Sequence, residues 1–140
     1  MNKENMIKWI EDLESGKFDQ IKGAMCDNED RYCCLGVASC ITCPLSNRID
    51  PYSLFDELET DGLPEATANW LEIRLEQGAL ASLNDIGLSF NEIAYFLRKD
   101  IESYPATRFL DKDNLEHIKL DMTENNDSLL KRLKREIANV

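Results

Sequence analysis

The stretch Leu83-Asn84-Asp85-Ile86-Gly87-Leu88-Ser89-Phe90-Asn91-Glu92-Ile93-Ala94 decides the class of fold, because it holds a helix start written in side chains. Ser89 followed three residues later by Glu92 is the pattern in which each side chain reaches the other's backbone N–H at a helix N-terminus. Beyond it, Phe90, Ile93, Ala94, Phe96, Leu97 and Ile101 recur at helical spacing and predict an apolar face turned to a core. The helix is expected to run until shortly before Pro105, since proline pushes the preceding residue out of helical conformation. Ahead of Ser89, Asn84-Asp85-Ile86-Gly87 reads as a turn following Ala79 to Leu83.

Outward from this stretch, more helices are legible. Leu63-Pro64 opens one with proline in its first turn; Ala66, Trp70, Leu71 and Ile73 supply its buried stripe, and Gln77-Gly78 closes it. At the start of the chain, Met6, Trp9, Ile10 and Leu13 predict a helix over 3–14, stopped at Ser15-Gly16. After Pro105, Leu115, Ile118 and Met122 permit a short helix, and Asp127-Ser128 cap a last one with Leu129, Leu130, Leu133 and Ile137 apolar.

The remainder is less regular. Residues 18–32, interrupted by Gly23 and the polar Asp27-Asn28-Glu29-Asp30, predict two short strands joined by a turn. Cys33 to Ile41 is an apolar run of mainly small residues, in which Gly36 and Ala38 suit a buried helix lying close to a neighbour. After Pro44, residues 44–62 read as an irregular acidic connection anchored by Tyr52, Leu54, Phe55 and Leu58. The expected fold is α+β: a mainly helical single domain with a small antiparallel sheet or hairpin. Residues 1–104 are expected to form the core domain and 105–140 a C-terminal extension, whose basic amphipathic helix packs on that core.

A chain of 140 residues has the size of one domain, able to bury a core without metal or disulfide support. Its net charge of −11 argues against direct nucleic-acid binding, which relies on Lys and Arg displacing counterions from phosphates. The charge is uneven: Lys131, Arg132, Lys134 and Arg135 against Glu136 make the last twelve residues basic and the rest more acidic still. The start, Met1-Asn2-Lys3-Glu4-Asn5, lacks the pattern of a secretion leader, and no stretch approaches the ~20 apolar residues that span a bilayer. A cytoplasmic location and no membrane contact are expected.

Several groups of residues could carry chemistry or contacts. Cys26, Cys33, Cys34, Cys40 and Cys43 are odd in number and lie within eighteen residues, which rules out full internal pairing and points to reduced thiols. Cys26, Cys34, Cys40 and Cys43 offer four thiolates for zinc, yet only Cys40 and Cys43 have C-x-x-C spacing, so neither metal nor other cofactor is expected. A Cys/His nucleophile would have to use His117, the single histidine; Asp111 and Asp113 begin a calcium-loop pattern that fails at Glu116 and Met122. No catalytic residue is assigned. Gln20, Lys22, Asn84 and Asp85 are the candidate ligand-binding residues, because a turn before a capped helix brings polar side chains near free N–H groups. Leu129, Leu133 and Ile137 form the candidate partner-binding face of the last helix.

Spaced blocks of this chain resemble small, mostly uncharacterised proteins encoded by bacteriophages and prophages. The matching residues are Trp9, Ser15-Gly16-Lys17, Gln20, Gly23, Tyr32-Cys33-Cys34-Leu35-Gly36-Val37, Leu63-Pro64, Trp70 and Leu83 to Ala94, covering roughly residues 6–97. The resemblance implies a phage or prophage origin and a globular α+β fold, and brings no activity with it. Cys40, Cys43 and the basic last helix lie outside the shared blocks. The expected function is that of a phage-type accessory protein acting by binding in the host cytoplasm. It would modulate a host or defence factor or sequester a small ligand, with a second copy of the chain as a further candidate partner. An enzyme using a cysteine or carboxylates is the alternative, and a structural or assembly component of the phage the third reading.

Overall fold

Helical spacing puts Met6, Trp9, Ile10 and Leu13 on one side of α1 (Lys3–Glu14), and all four are buried. The structure is a computed structural model that describes residues 1–23, 26–27, 29–42, 65–73, 77–106 and 109–138. Asn2 caps α1, its side chain accepting from the Asn5 N–H at 3.0 Å, and its own N–H reaches Leu71 O at 2.9 Å.

Two short strands follow, β1 (Asp19–Gln20) and β2 (Arg31–Tyr32), paired in parallel with Asp19 opposite Arg31 and Gln20 opposite Tyr32. This corrects the expected antiparallel sheet, and the reason lies in the path between the strands. The polar turn does reverse the chain, closed by the Asp27 N–H on Arg31 O at 3.0 Å, but what it sets against β2 is a single antiparallel bridge, Cys26 to Tyr32. An earlier bend at Gly23, where φ is 80°, supplies a second reversal, and two reversals restore the direction of β1. Asp27 holds the turn: its carboxylate accepts from the Glu29 and Arg31 N–H groups at 3.0 and 2.9 Å and from Arg31 Nε at 2.6 Å. Asn28 lies outside the described residues.

The cysteine-rich run forms α2 (Cys34–Thr42), and the Trp9 indole N–H donates to Cys34 O at 2.9 Å across the α1–α2 contact. Next come α3 (Glu65–Leu71) and α4 (Gln77–Ile86). The single helix expected to close at Gln77-Gly78 is thus two: Glu72, at φ 57°, turns the chain left-handed, Ile73 N–H bonds Ala68 O at 3.3 Å, and buried Ile73 anchors the turn. Gln77 begins the next helix. Trp70, expected in the buried stripe, is half-buried, whereas Leu71 and Ile73 are buried. The helix start at Leu63-Pro64, the side chain of the stripe position Ala66 and the anchors Tyr52, Leu54, Phe55 and Leu58 lie outside what is described.

The turn expected at Asn84 to Gly87 is the last turn of α4. Gly87 (φ 118°) ends it, with Leu88 N–H on Leu83 O at 3.1 Å and Gly87 N–H on Asn84 O at 3.3 Å. At α5 (Phe90–Ser103) both halves of the cap form: Glu92 N–H to Ser89 Oγ at 3.2 Å and Ser89 N–H to Glu92 Oε1 at 3.0 Å. The C-terminal region holds α6 (Lys112–Glu124) and α7 (Asn126–Ala138), separated by Asn125. Asn125, rather than Asp127 or Ser128, caps α7: its side chain accepts from the Ser128 N–H at 3.1 Å. Its own N–H ends α6 on Asp121 O at 2.9 Å.

The most extensive helix pairing is α1 with α5, and α1 also meets α2 and α3. The last helix, α7, packs on α4, α5 and α6, so that Leu129 and Leu133 join the same buried cluster as Met6 and Trp9. Among the described residues no helix is long and apolar enough to cross a membrane.

Candidate functional site

Gln20 and Asn84, far apart in sequence, meet where β1 passes between the starts of α2 and α5. Gln20 Nε2 donates to Asn84 Oδ1 and to Leu88 O, both at 2.8 Å, while its Oε1 accepts from the Phe90 N–H at 3.1 Å. Asn84 Oδ1 also accepts from the Cys34 N–H at 3.2 Å, and its Nδ2 donates to Ile21 O at 2.7 Å. Cys34 and Phe90 are the first residues of α2 and α5, whose N–H groups have no partner inside their helices. The two carboxamides therefore satisfy both helix starts and tie them to β1; a side chain with both donor and acceptor can do this without burying a charge. Asn84 is 0% exposed.

Lys22 and Asp85 sit at the outer edge of this cluster and are exposed. Asp85 Oδ1 accepts from the Gly23 N–H at 2.7 Å, and a Cβ placed on Gly87 would stand 3.5 Å from Lys22 Nζ. The structure thus brings together all four candidate ligand residues. It directs the amides of Gln20 and Asn84 at protein groups and leaves Lys22 and Asp85 facing outward. Leu129 and Leu133 are buried and Ile137 is half-buried, so a partner would reach that face of α7 only after the helix left the body.

The thiols are sealed rather than displayed. Cys26, Cys33 and Cys34 are buried and Cys40 is half-buried; Cys43 lies outside the described residues. Burial pushes the Cys33 thiol up to about 11, against the opposing effect of N–H groups such as that of Gly36, which points at its sulfur at 3.4 Å. Burial, aided by neighbouring Cys33, holds Cys34 well above the ordinary range as well. Among the described residues, no group of three or more His, Cys, Asp or Glu side chains is placed to hold a metal ion.

A second location was not visible in the sequence. Helices α5, α6 and α7 enclose a cleft of about 570 Å³ lined by Tyr95, Phe96, Lys99, Asp100, Phe109, Asn114, His117, Ile118, Arg132, Leu133 and Glu136. Its aromatic part is ordered: the Phe96 and Phe109 rings stack with centroids 4.8 Å apart, and Tyr95 stands edge-on to Phe96 at 5.3 Å. Asp100 builds the wall between them, its two oxygens accepting from the Phe109 and Leu110 N–H groups at 2.8 and 2.6 Å. The rim is charged. Lys99 Nζ lies 5.5 Å from the Tyr95 ring centroid, Arg132 Nη1 bonds Asp121 Oδ2 at 2.7 Å, and Asn114 Nδ2 donates to Phe109 O at 2.9 Å. His117, considered earlier only as a base for a cysteine, belongs to this cleft, whose lining among the described residues holds no cysteine.

The cleft is not legible in the sequence, although Phe96, His117, Ile118, Arg132 and Leu133 each stand out for other reasons, because its lining is spread over three helices. In comparisons of sequence and fold, the chain matches no family model, no curated protein and no solved structure.

Proposed function

We propose that the chain is a phage-type accessory protein that acts by binding in the host cytoplasm, and that it holds a small ligand in the cleft between α5, α6 and α7. The observation that carries this reading is the make-up of the cleft: about 570 Å³, an ordered aromatic floor and polar groups from three helices. Small-molecule sites fall at roughly 300–1,000 Å³ and combine apolar lining with a few placed polar groups. Binding is favoured over catalysis by Cys33 or Cys34 because burial raises both thiols, Cys33 to about 11, and keeps them protonated at neutral pH, whereas a nucleophile requires the thiolate.

The test is to incubate the folded protein with a deproteinised extract of host-cell metabolites, remove free solutes, denature the protein and identify what is released by mass spectrometry. A single compound recovered unchanged, near one per chain and lost on substituting Tyr95 or Lys99, is the expected result. Conversion of that compound at substoichiometric protein would replace the binder by an enzyme. Release of nothing above background would remove the small-ligand reading.

A further inference from the structure

We infer that the ligand of this cleft is a planar aromatic anion of mononucleotide size, its ring laid against Tyr95, which the stacked phenylalanines support from behind, and its phosphate or carboxylate held by Lys99 and Arg132. This inference rests on the cleft being the ligand site, and adds the chemical class.

The ring follows from the floor. Phe96 and Phe109 are stacked at an interplanar angle of 17° and are themselves buried, which fixes them as a rigid wall. Tyr95 is half-buried, so its ring is the aromatic surface in reach of a ligand, and it already carries the Lys99 ammonium near its face. A flat ligand ring beside Tyr95 gains aromatic contact, and any anion it bears comes to lie near that ammonium.

The anion follows from the charges. In a chain of net charge −11, Lys99 forms no ion pair among the described residues, although carboxylates abound. Arg132 spends one nitrogen on Asp121; a guanidinium has five N–H donors in a planar fork, and those that remain suit a phosphate or carboxylate. Against these stand two acidic groups of the cleft, Asp100 and Glu136. Asp100 is 1% exposed and its oxygens are turned to the N–H groups of Phe109 and Leu110, which absorb its charge locally. Glu136, which is exposed, and half-buried Asn114 also line the cleft and offer acceptor oxygens to an amino group on the ring's edge.

The probes are AMP, which has both ring and anion; inorganic phosphate and adenosine, which have one each; benzoate, a minimal aromatic anion; and tryptamine, an aromatic cation. Binding is read by calorimetry and by backbone amide shifts in NMR spectra of the full chain. AMP is expected to bind one per chain, to shift the amides of Tyr95, Lys99 and His117, and to bind at least ten-fold tighter than phosphate or adenosine. Lys99→Ala, at an exposed position, should weaken AMP about ten-fold with an unchanged unfolding temperature; Tyr95→Ala should weaken it about ten-fold while lowering that temperature, because it also removes packing against Phe96; and Lys99→Arg should retain it. Tryptamine shifting those residues while AMP and benzoate do not would keep the cleft as the site and overturn the anion. AMP affinity unchanged in both Lys99→Ala and Tyr95→Ala would overturn the proposed placement, and no shift in the cleft with any probe would remove both this inference and the reading beneath it.

Discussion

Gln20 and Asn84 illustrate what a single residue can and cannot disclose. Both stand out in the sequence as polar side chains beside turns, the setting in which ligand contacts are expected. Their burial turns the same amide chemistry inward, onto the first N–H groups of α2 and α5. Asn84→Ala leaves the Cys34 N–H and Ile21 O without this partner, in a place sealed from water, and an unsatisfied buried polar group costs about 1–3 kcal/mol. Urea denaturation should show that loss, and a smaller one for Gln20→Ala, since Gln20 is only half-buried and water can replace part of its bonding. The thiols make a separate prediction. A cysteine whose folded pKa is raised by burial keeps its proton in the native state after the unfolded chain has lost it. Stability should therefore fall from the ordinary thiol value of 9.0 upward, through the Cys33 value of about 11. Denaturation midpoints between pH 8 and 11 measure this, and Cys33→Ala should lessen the slope; an equal slope in wild type and variant would show that other groups cause it.

At the scale of elements, a boundary was legible where its signal is complete within a few residues: the start of α5 and the ends of α1 and α5 fall where expected, whereas α7 starts at Asn126 and Gln77 begins a helix instead of closing one. The Ser89/Glu92 cap of α5 was readable because it is complete within four residues of chain. Ser89→Ala should cost about 0.5–2 kcal/mol, the range for losing an N-cap side chain. Glu92 has a second role, since Lys134 Nζ on α7 reaches its Oε1 at 3.1 Å. Burial alone would raise the Glu92 carboxyl, but the Ser89 N–H and Lys134 outweigh it and hold its pKa below the ordinary value of 4.5. Its contribution is therefore present above that value and is lost as pH falls through the lower folded-state value. Acid titration of Glu92→Gln followed by circular dichroism should show a shallower loss below pH 4.5 than wild type. The break after α3 was missed because it depends on Glu72 adopting φ 57°, a conformation that no glycine or asparagine announces there. The direction of β2 was missed for a related reason: a turn signal reports one reversal of the chain, and the second, at Gly23, was treated as an interruption.

For the whole molecule, the question is whether the C-terminal helices belong to the body. Leu129 on α7 and Leu35 on α2 are both buried in one cluster, so Leu129→Ala and Leu35→Ala should each cost about 2–5 kcal/mol, as large-to-small core changes do. Both should shift the same cooperative transition; two transitions, with Leu129→Ala moving only one, would mean that α6 and α7 unfold as a separate unit. The sequence by itself determined the mainly helical character, the faces of α1 and α5 and the cap of α5, because periodicity and capping are settled by residues within a turn or two of each other; of the apolar run expected to be buried, Cys33 to Ser39 are buried and Cys40 and Ile41 half-buried. Tertiary structure alone decided the parallel strand pairing, the inward use of Gln20 and Asn84, and the cleft. Each depends on which distant surfaces share a core: Tyr95, Phe109, His117 and Arg132 become neighbours only when the apolar faces of α5, α6 and α7 are buried against one another, an outcome set by the removal of apolar surface from water across the whole chain.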